Sequence, residues 1–211
     1  MWHLVGQEWE QPAGAVALSI SDFDRCLAAA QDGDDASFVA LFRACQPALL
    51  RYLHTIDTRI ADDVAADTWV SVVRSMHRFA GDEQGWRAWV FTIARARLRD
   101  EQRRGSRRPV PVDTAEVLGA VADPVDVPEA VEAVLSTEAA LALIGRLPPD
   151  QAEAVLLRHV AGLDVAHAAT VLGKKPGSVR VATHRGLRRL ADLVGADRCN
   201  ASEVGSDRWV Q

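Results

Sequence analysis

Residues 162–190 read GLDVAHAATVLGKKPGSVRVATHRGLRRL, in the order of a helix, a glycine turn and a second helix. With the turn at Gly173, Ala169 lies four residues earlier, where two crossing helices require a side chain no larger than methyl. Pro176 suits the first turn of the second helix, because the N–H group that proline lacks would have no partner there. Val179 then lies where that helix turns inward. The segment therefore predicts a helix-turn-helix.

The second helix of this segment has a basic face opposite an apolar one. Val179, Gly186 and Leu190 share one side at helical spacing. Basic side chains in a major groove contact phosphates, and arginine can hold guanine through two hydrogen bonds. A solvated face on an ordinary amphipathic helix is the alternative, but the preceding glycine turn favours DNA binding. The candidate DNA-contacting residues are Arg180, Val181, His184, Arg185 and Arg188.

Composition argues against several classes of protein. Hydrophobic residues make up 48% of the 211 positions. No uninterrupted apolar run reaches the about 18 residues of a membrane span, so we expect no membrane insertion. The start, MWHLVGQEWEQP, lacks the pattern of a secretory signal. Cys26, Cys45 and Cys199 are far apart, which predicts reduced thiols and no metal site. Because no nucleophile–base set or phosphate-binding glycine loop is present, we expect no catalytic residues and no cofactor.

Charge alternates along the chain although the net charge is only −5. Residues 71–110 contain ten basic and four acidic side chains, and residues 154–195 contain seven and two. The segments before each of them, residues 1–70 and 111–153, are net negative by seven and eight charges. Two separated basic surfaces suggest two contacts with one nucleic acid, which is more than a lone helix-turn-helix requires.

The N-terminal half also has helical patterning, and its last helix is the most informative. Its apolar side chains recur at the spacing of a buried stripe: Trp86, Trp89, Val90, Ile93 and Ala94. Its other side carries Arg95, Arg99 and Arg103. Aromatic rings beside a basic stripe, after the polar loop AGDEQG (80–85), suit single-stranded DNA, whose bases stack while cations follow the backbone. The alternative is a plain core with a solvated basic face. We favour the core for Trp89 and leave both readings open for Trp86.

Three segments together resemble the bacterial RNA polymerase sigma factors of the extracytoplasmic-function group. They are IADDVAADTWVSVVRSMHRF (60–79), GWRAWVFTIARARLRDEQRR (85–104) and LPPDQAEAVLLRHVAGLDVAHAATVLGKKPGSVRVATHRGLRRL (147–190). The resemblance implies an all-α protein whose two small helical domains are joined by an extended acidic linker. The expected divisions are an N-terminal extension (1–20), a polymerase-binding and minus-10 domain (21–105), the Pro-rich linker (106–136), a minus-35 helix-turn-helix domain (137–195) and a C-terminal tail (196–211).

The resemblance implies that the first domain binds core RNA polymerase and opens the promoter. Its third helix would pack on a coiled coil of the largest polymerase subunit, with Asp62, Asp63, Asp67 and Trp69 as the candidate contacts. The following loop and helix would hold the minus-10 element as a single strand and capture a flipped base. The candidate residues for that contact are Arg78, Gly81, Asp82, Glu83, Gln84, Trp86, Arg95, Arg99 and Arg103.

The second domain would read the duplex minus-35 element, and the resemblance adds Lys175 and Ser178 to its candidate contacts. His167 stands where the family commonly has glutamate. The family also implies a linker that threads polymerase channels, an anti-sigma protein as partner, and a cytoplasmic location with nucleoid association in the holoenzyme. The alternative is a helix-turn-helix transcription regulator that is no polymerase subunit, but it leaves the Trp-Arg helix without a purpose.

Overall fold

The computed structural model describes residues 20–107 and 129–206, with side chains over 22–105 and 137–195. These residues form helices and no strands, which confirms the all-α prediction. The α-helices are α1 (Ile20–Gln31), α2 (Asp35–Asp57), α3 (Ala61–Ser75), α4 (Glu83–Arg107), α5 (Glu129–Gly145), α6 (Pro149–Val155), α7 (Val165–Leu172) and α8 (Pro176–Ser206). A 3-10 turn, Met76–Arg78, follows α3, and a π-helical turn, Leu156–Val160, follows α6.

Helices α1 to α4 pack around one apolar core and form the first domain. Fully buried side chains come from all four helices: Phe23, Leu41, Leu49, Tyr52, Val64, Val72 and Phe91. Gln31, at the end of α1, donates from its amide to the carbonyls of Met76 (2.7 Å) and Phe79 (2.8 Å). The last turn of α1 therefore fixes the chain just before the loop that leads into α4.

The sequence predicts that Pro47 kinks or shortens the second helix. Helix α2 is not shortened and continues through Pro47 to Asp57. A proline inside a helix costs about 3 kcal/mol, because it removes one backbone hydrogen bond and crowds the preceding turn. Pro47 itself is exposed, and its neighbours Cys45, Ala48 and Leu49 are buried in the core. Their packing offsets the local cost, so the helix continues.

The second domain contains the predicted helix-turn-helix as α7 and α8. Gly173 ends α7 in the left-handed conformation, with φ +63°, which favours glycine. The N–H of Lys174 donates to the carbonyl of Ala169 at 3.0 Å and closes the turn. Ala169 is 4% exposed, Val179 is fully buried, and Pro176 begins α8. These positions confirm the prediction from local sequence.

Two helices, α5 and α8, extend past the domain boundaries that we expected from the sequence. Helix α5 begins at Glu129, inside the segment expected to be linker, and α8 continues to Ser206, inside the expected tail. The acidic linker prediction for residues 108–128 lies outside the described residues, as does the N-terminal extension over residues 1–19.

The two domains contact each other. Helix α4 of the first domain packs against α7 of the second, and α2 packs against α5 and the π-helical turn. The contact therefore brings the helix expected to open DNA against the first helix of the helix-turn-helix.

Gly186 lies at the crossing of α8 and α6 and generates a stability prediction. A Cβ atom there would lie 2.7 Å from Val155 Cγ2 and 3.4 Å from the carbonyl of Gln151. Val155 is 1% exposed, so its side chain has little room to move away. We expect Gly186→Ala to lower the free energy of unfolding by about 1–3 kcal/mol through overpacking, as measured by urea unfolding.

The matched control is Gly195→Ala in the same helix. A Cβ atom at Gly195 would meet nothing within 4 Å. This variant should gain about 0.5–1 kcal/mol because alanine favours helix. Equal gains in both variants would contradict the close crossing of α6 and α8.

Candidate nucleic-acid interface

The seven minus-35 candidates form what we call the α8 basic face: Lys175, Ser178, Arg180, Val181, His184, Arg185 and Arg188. All seven are exposed, and Val181 retains 48% of its accessible surface although it is apolar. The close crossing at Gly186 holds α8 on α6 while its opposite side stays in solvent. An exposed, rigid helix with arginine on its outer face has the geometry that enters a major groove.

An open groove beside the α8 basic face adds a residue that the sequence analysis missed. The groove has a volume of about 590 Å³ and is lined by Gln151 of α6 and by Arg185, Arg188, Arg189, Asp192 and Leu193 of α8. Three guanidinium groups against one carboxylate leave the groove with a net positive charge. Arg189 stands in the run RGLRRL, so the local density of arginine was the available signal.

The helix-turn-helix begins with a side-chain cap that explains His167. Asp164 is the N-cap of α7, and its carboxylate accepts from the His167 N–H at 2.8 Å and contacts the His167 ring at 3.0 Å. The hydrogen bond from the His167 N–H, followed by the bond from its ring, lowers the pKa of Asp164. His167 occupies the third helical position, where glutamate would complete a capping box, and here its ring joins the cap instead.

The loop before α4 is held by its own polar side chains. Asp82 accepts from the Gly85 N–H at 2.8 Å and so caps α4, and Glu83 pairs with Arg87 at 2.8 Å. At Gly81 a Cβ atom would lie 3.1 Å from Phe79 Cζ. The minus-10 candidates of this loop therefore sit in a preformed conformation, while Arg78 is exposed beside His77.

Three aromatic rings pack under this loop. The centroids of Phe79, Trp86 and Trp89 lie 5.2–5.3 Å from one another. Trp86 is 2% exposed, so in this conformation it belongs to the core, whereas Trp89 is only partly buried. The sequence analysis did not include Phe79 among the site residues, although its position directly before the polar loop could have indicated it.

The basic stripe of α4 divides into two parts. Arg99 and Arg103 are exposed, and Arg103 lies 3.7 Å from Asp100. Arg95 is only 6% exposed and forms two hydrogen bonds with Glu153, at 3.0 and 2.8 Å. Burial acts to lower the pKa of Arg95, but the bonds to Glu153 prevail and raise it. Arg95 thus remains charged and faces the second domain.

The acidic candidates on α3 lie together on its surface. Asp62, Asp63 and Asp67 are exposed, and the same helix exposes Val70 (48%) and Val73 (52%), which the sequence analysis did not place in the site. We call these five residues the α3 docking face. The available signal was the spacing of these valines. Each follows an aspartate by one or two helical turns, and the periodicity assigns Val72 to the core side of α3.

Trp69 does not belong to the exposed α3 docking face. It is 7% exposed and packs on Phe42, with ring centroids 4.8 Å apart. Its indole N–H donates to the Gln46 side chain at 2.5 Å. Trp69 therefore fixes α3 on α2 and supports the acidic residues from beneath.

Two further observations apply to the described part of the chain. Over residues 20–107 and 129–206, no helix is long and apolar enough to cross a membrane. Within the same ranges, no three His, Cys, Asp or Glu side chains converge as metal ligands would.

Two family models match the two domains. The model described as Sigma-70 region 2 matches residues 41–108, and that described as Sigma-70, region 4 matches residues 137–190. The chain is 32% identical to the ECF RNA polymerase sigma factor ShbA of Streptomyces griseus, over 78% of this chain and 91% of that protein. It is 31% identical to the RNA polymerase sigma factor CarQ of Myxococcus xanthus, over 78% and 93%. With BldN of Streptomyces coelicolor it shares 32% identity, over 80% of this chain and 64% of BldN.

Solved structures have the same fold. The structure of CnrH in complex with the cytosolic domain of CnrY matches with a TM-score of 0.56 and 25% identity, over 83% of this chain and 99% of that one. The sigma factor RpoE of Bartonella quintana, solved with the anti-sigma factor NepR, matches with a TM-score of 0.57 over 76% and 98%. Its identity of 21% supports the fold alone.

The Asp164 cap generates a prediction with a defined pH dependence. Asp164→Ala should lower the free energy of unfolding by about 1 kcal/mol at neutral pH, because it removes the N-cap of α7. Since the folded-state pKa lies below the ordinary value of 3.8, this contribution is present above 3.8 and is lost as pH falls through the lowered pKa. Urea unfolding at a series of pH values should show the difference narrowing below 3.8.

Asp164→Asn is the control for this cap. Asparagine keeps a capping oxygen but cannot be protonated in this range. At every pH, Asp164→Asn should therefore lose much less stability, relative to the wild type, than Asp164→Ala does. A difference between the wild type and Asp164→Ala that stays constant into strong acid would contradict the assignment.

Proposed function

Because the chain belongs to the extracytoplasmic-function sigma factors of RNA polymerase, we propose that it binds core polymerase, holds promoter DNA at two points and directs strand opening. The observation that carries the proposal is the pair of arginine-rich helices, α4 and α8, each on its own domain, where the first domain matches Sigma-70 region 2 and the second matches Sigma-70, region 4. The protein supplies recognition, and catalysis belongs to the polymerase.

The α3 docking face suits the polymerase contact. Val70 and Val73 present apolar surface beside three exposed aspartates. Apolar area within a charged surround is typical of a specific protein interface, and the aspartates favour a basic partner surface. Trp69 contributes by holding α3 in place through Phe42 and Gln46.

The α8 basic face would read the minus-35 duplex. Arg180 and Arg185 would contact base edges, where a guanidinium can hold guanine through two hydrogen bonds. Lys175, Ser178 and Arg188 would contact phosphates, which position the helix without reading sequence. Val181 is suited to the methyl group of thymine, and its exposure of 48% leaves that surface available.

Gly81, Asp82 and helix α4 would hold the melted minus-10 strand; residues 83–85, predicted as loop, form the first turn of α4. A loop already capped by Asp82 loses little conformational freedom when it captures a base. Trp86 lies too deep to stack on DNA and would instead form the floor beneath the loop, together with Phe79. Arg99 and Arg103 would follow the phosphates, and Arg95 would join them only on release from Glu153.

We also infer an anti-sigma protein as a partner. CnrH, which is 25% identical and aligns with 83% of this chain, was solved in complex with the cytosolic domain of CnrY, so a relative of this chain binds a second protein besides polymerase. Such a partner would compete with polymerase for the α3 docking face. A sigma factor acts where polymerase and chromosome are, so we place the protein in the cytoplasm, with nucleoid association in the holoenzyme. A transcription regulator that is no polymerase subunit is not favoured, because it would have no use for the region that matches residues 41–108.

Run-off transcription tests the proposed function. Purified protein is mixed with core polymerase from a related bacterium and fragmented genomic DNA, and the new transcript starts are mapped. We expect starts that share two sequence elements and that core polymerase alone does not produce. Absence of core binding together with absence of new starts would contradict the proposal.

Val73→Glu tests the polymerase contact. A carboxylate in the apolar part of the α3 docking face should weaken core binding about tenfold, or about 1.4 kcal/mol. Val39→Glu is the matched control, because Val39 is also an exposed valine of the same domain, at 39%, but lies on α2. Fluorescence anisotropy with labelled protein measures both affinities. Equal loss in the two variants would place the contact elsewhere.

A further inference from the structure

Gln31, the last residue of α1, connects that helix to the segment between α3 and α4. Its amide nitrogen donates to the carbonyl oxygen of Met76 at 2.7 Å and to that of Phe79 at 2.8 Å. A primary amide carries two N–H groups on one nitrogen, so a single side chain can hold two acceptors at once. Gln31 lies outside residues 41–108, the range that matches Sigma-70 region 2, so the family match does not include this residue.

The first of these carbonyls begins the 3-10 turn that follows α3, and the second comes directly after that turn. The Phe79 N–H donates to the Met76 carbonyl at 3.0 Å, so that oxygen accepts a backbone bond as well as the bond from Gln31. Phe79 then leaves the turn in an extended conformation, with φ −73° and ψ 133°. The bond from Gln31 therefore fixes the Phe79 carbonyl at the point where helical geometry ends.

Phe79 passes this constraint on to the loop. Its Cζ would lie 3.1 Å from a Cβ atom at Gly81 and 3.8 Å from one at Gly85, so the ring lies against the backbone of both glycines. The same ring packs on Trp86 and Trp89. A shift of the Phe79 backbone would therefore move the surface on which the loop and the first turn of α4 rest.

Helix α1 does not need Gln31 in order to pack on the domain. Phe23, Leu27 and Ala30 are buried and anchor the helix in the core. Packing of an apolar face supplies most of the stability of a helix in a folded domain. The two bonds of Gln31 thus act on the segment after α3 rather than on the docking of α1.

We propose that Gln31 is a positioning residue for capture of the minus-10 strand. By fixing the Phe79 carbonyl, it holds the Phe79 ring beneath Gly81 and Gly85 and keeps the stretch that receives the flipped base in one conformation. A site that is fixed in advance loses less conformational entropy on binding, and it releases its ligand more slowly. This inference deepens the proposed function and rests on it for the identity of the strand.

Gln31→Met tests the inference. Methionine keeps the length and the helix propensity of glutamine but removes both N–H donors. Ala28→Met is the matched control, because it places the same side chain about one turn earlier on α1, at an exposed position. Each variant is assembled with saturating core polymerase, so that strand binding is measured on folded, polymerase-bound protein.

The first measurement is the dissociation rate of a single strand from these complexes. A fluorescent oligonucleotide that carries a minus-10 element located by run-off transcription is bound, and an unlabelled competitor is then added in excess. We expect dissociation about fivefold faster from Gln31→Met, the effect of about one net hydrogen bond, and an unchanged rate from Ala28→Met. Incomplete folding of a variant lowers the amplitude but not the rate, so the rate separates positioning from stability.

The second measurement locates the effect along the strand. Each base of the oligonucleotide is replaced in turn by an abasic site, and dissociation is recorded again. In the wild type, an abasic site at the captured position should speed release about tenfold, because the contacts of the flipped base are lost. In Gln31→Met the same replacement should speed release only about twofold, while the other positions keep their wild-type ratios.

The outcomes against the inference differ from those against the proposed function. Equal dissociation rates of the wild type and Gln31→Met would overturn the inference, as would an effect shared equally by all bases or by Ala28→Met. A wild-type complex that releases the minus-10 strand as fast as a strand of scrambled sequence would contradict the proposed function itself, and the inference with it.

Discussion

The buried guanidinium of Arg95 is the constraint on which the arrangement of the two domains depends. Among the described residues, it is the only charged side chain that is buried. A buried charge is tolerated only when it is paired and hydrogen-bonded. Its acceptors are Glu153 and the carbonyls that end α7, all of the second domain. The contact between the two domains therefore satisfies the one buried charge of the described residues.

The same contact bears on function. Arg95 is one of the candidate residues for the minus-10 strand, and in this structure its donors are engaged by Glu153 and by the carbonyls at the end of α7. Arginine binds a carboxylate and a phosphate with the same two-pronged geometry. Arg99 and Arg103 are exposed on the same helix, so the DNA contact that we propose does not depend on Arg95 alone.

Features governed by local sequence could be predicted. Gly173, Ala169 and Pro176 define the helix-turn-helix because each meets a requirement of its own turn or crossing, and the structure confirms all three. The exposed arginines of α8 follow from helical periodicity alone. Pro47 shows the limit of local rules, since a shortened helix did not take account of the buried neighbours that let α2 continue to Asp57.

Features governed by tertiary contact could not be predicted. Periodicity places Arg95 on the polar side of α4, as the structure does, but it cannot indicate that another domain covers that side. It groups Trp86 with Trp89, but the depth of each ring depends on Phe79, which belongs to another segment. Trp69 follows three aspartates in the sequence, yet its ring faces the core while Val70 and Val73 face solvent. In each case, the burial of the side chain depends on residues from another segment of the chain.

Permanganate footprinting of a promoter located by run-off transcription tests the central claim most directly. The account predicts that thymines of the minus-10 element become reactive as the strands open, and only when the protein and core polymerase are both present. Binding of the duplex by both proteins without any reactive thymine would contradict it.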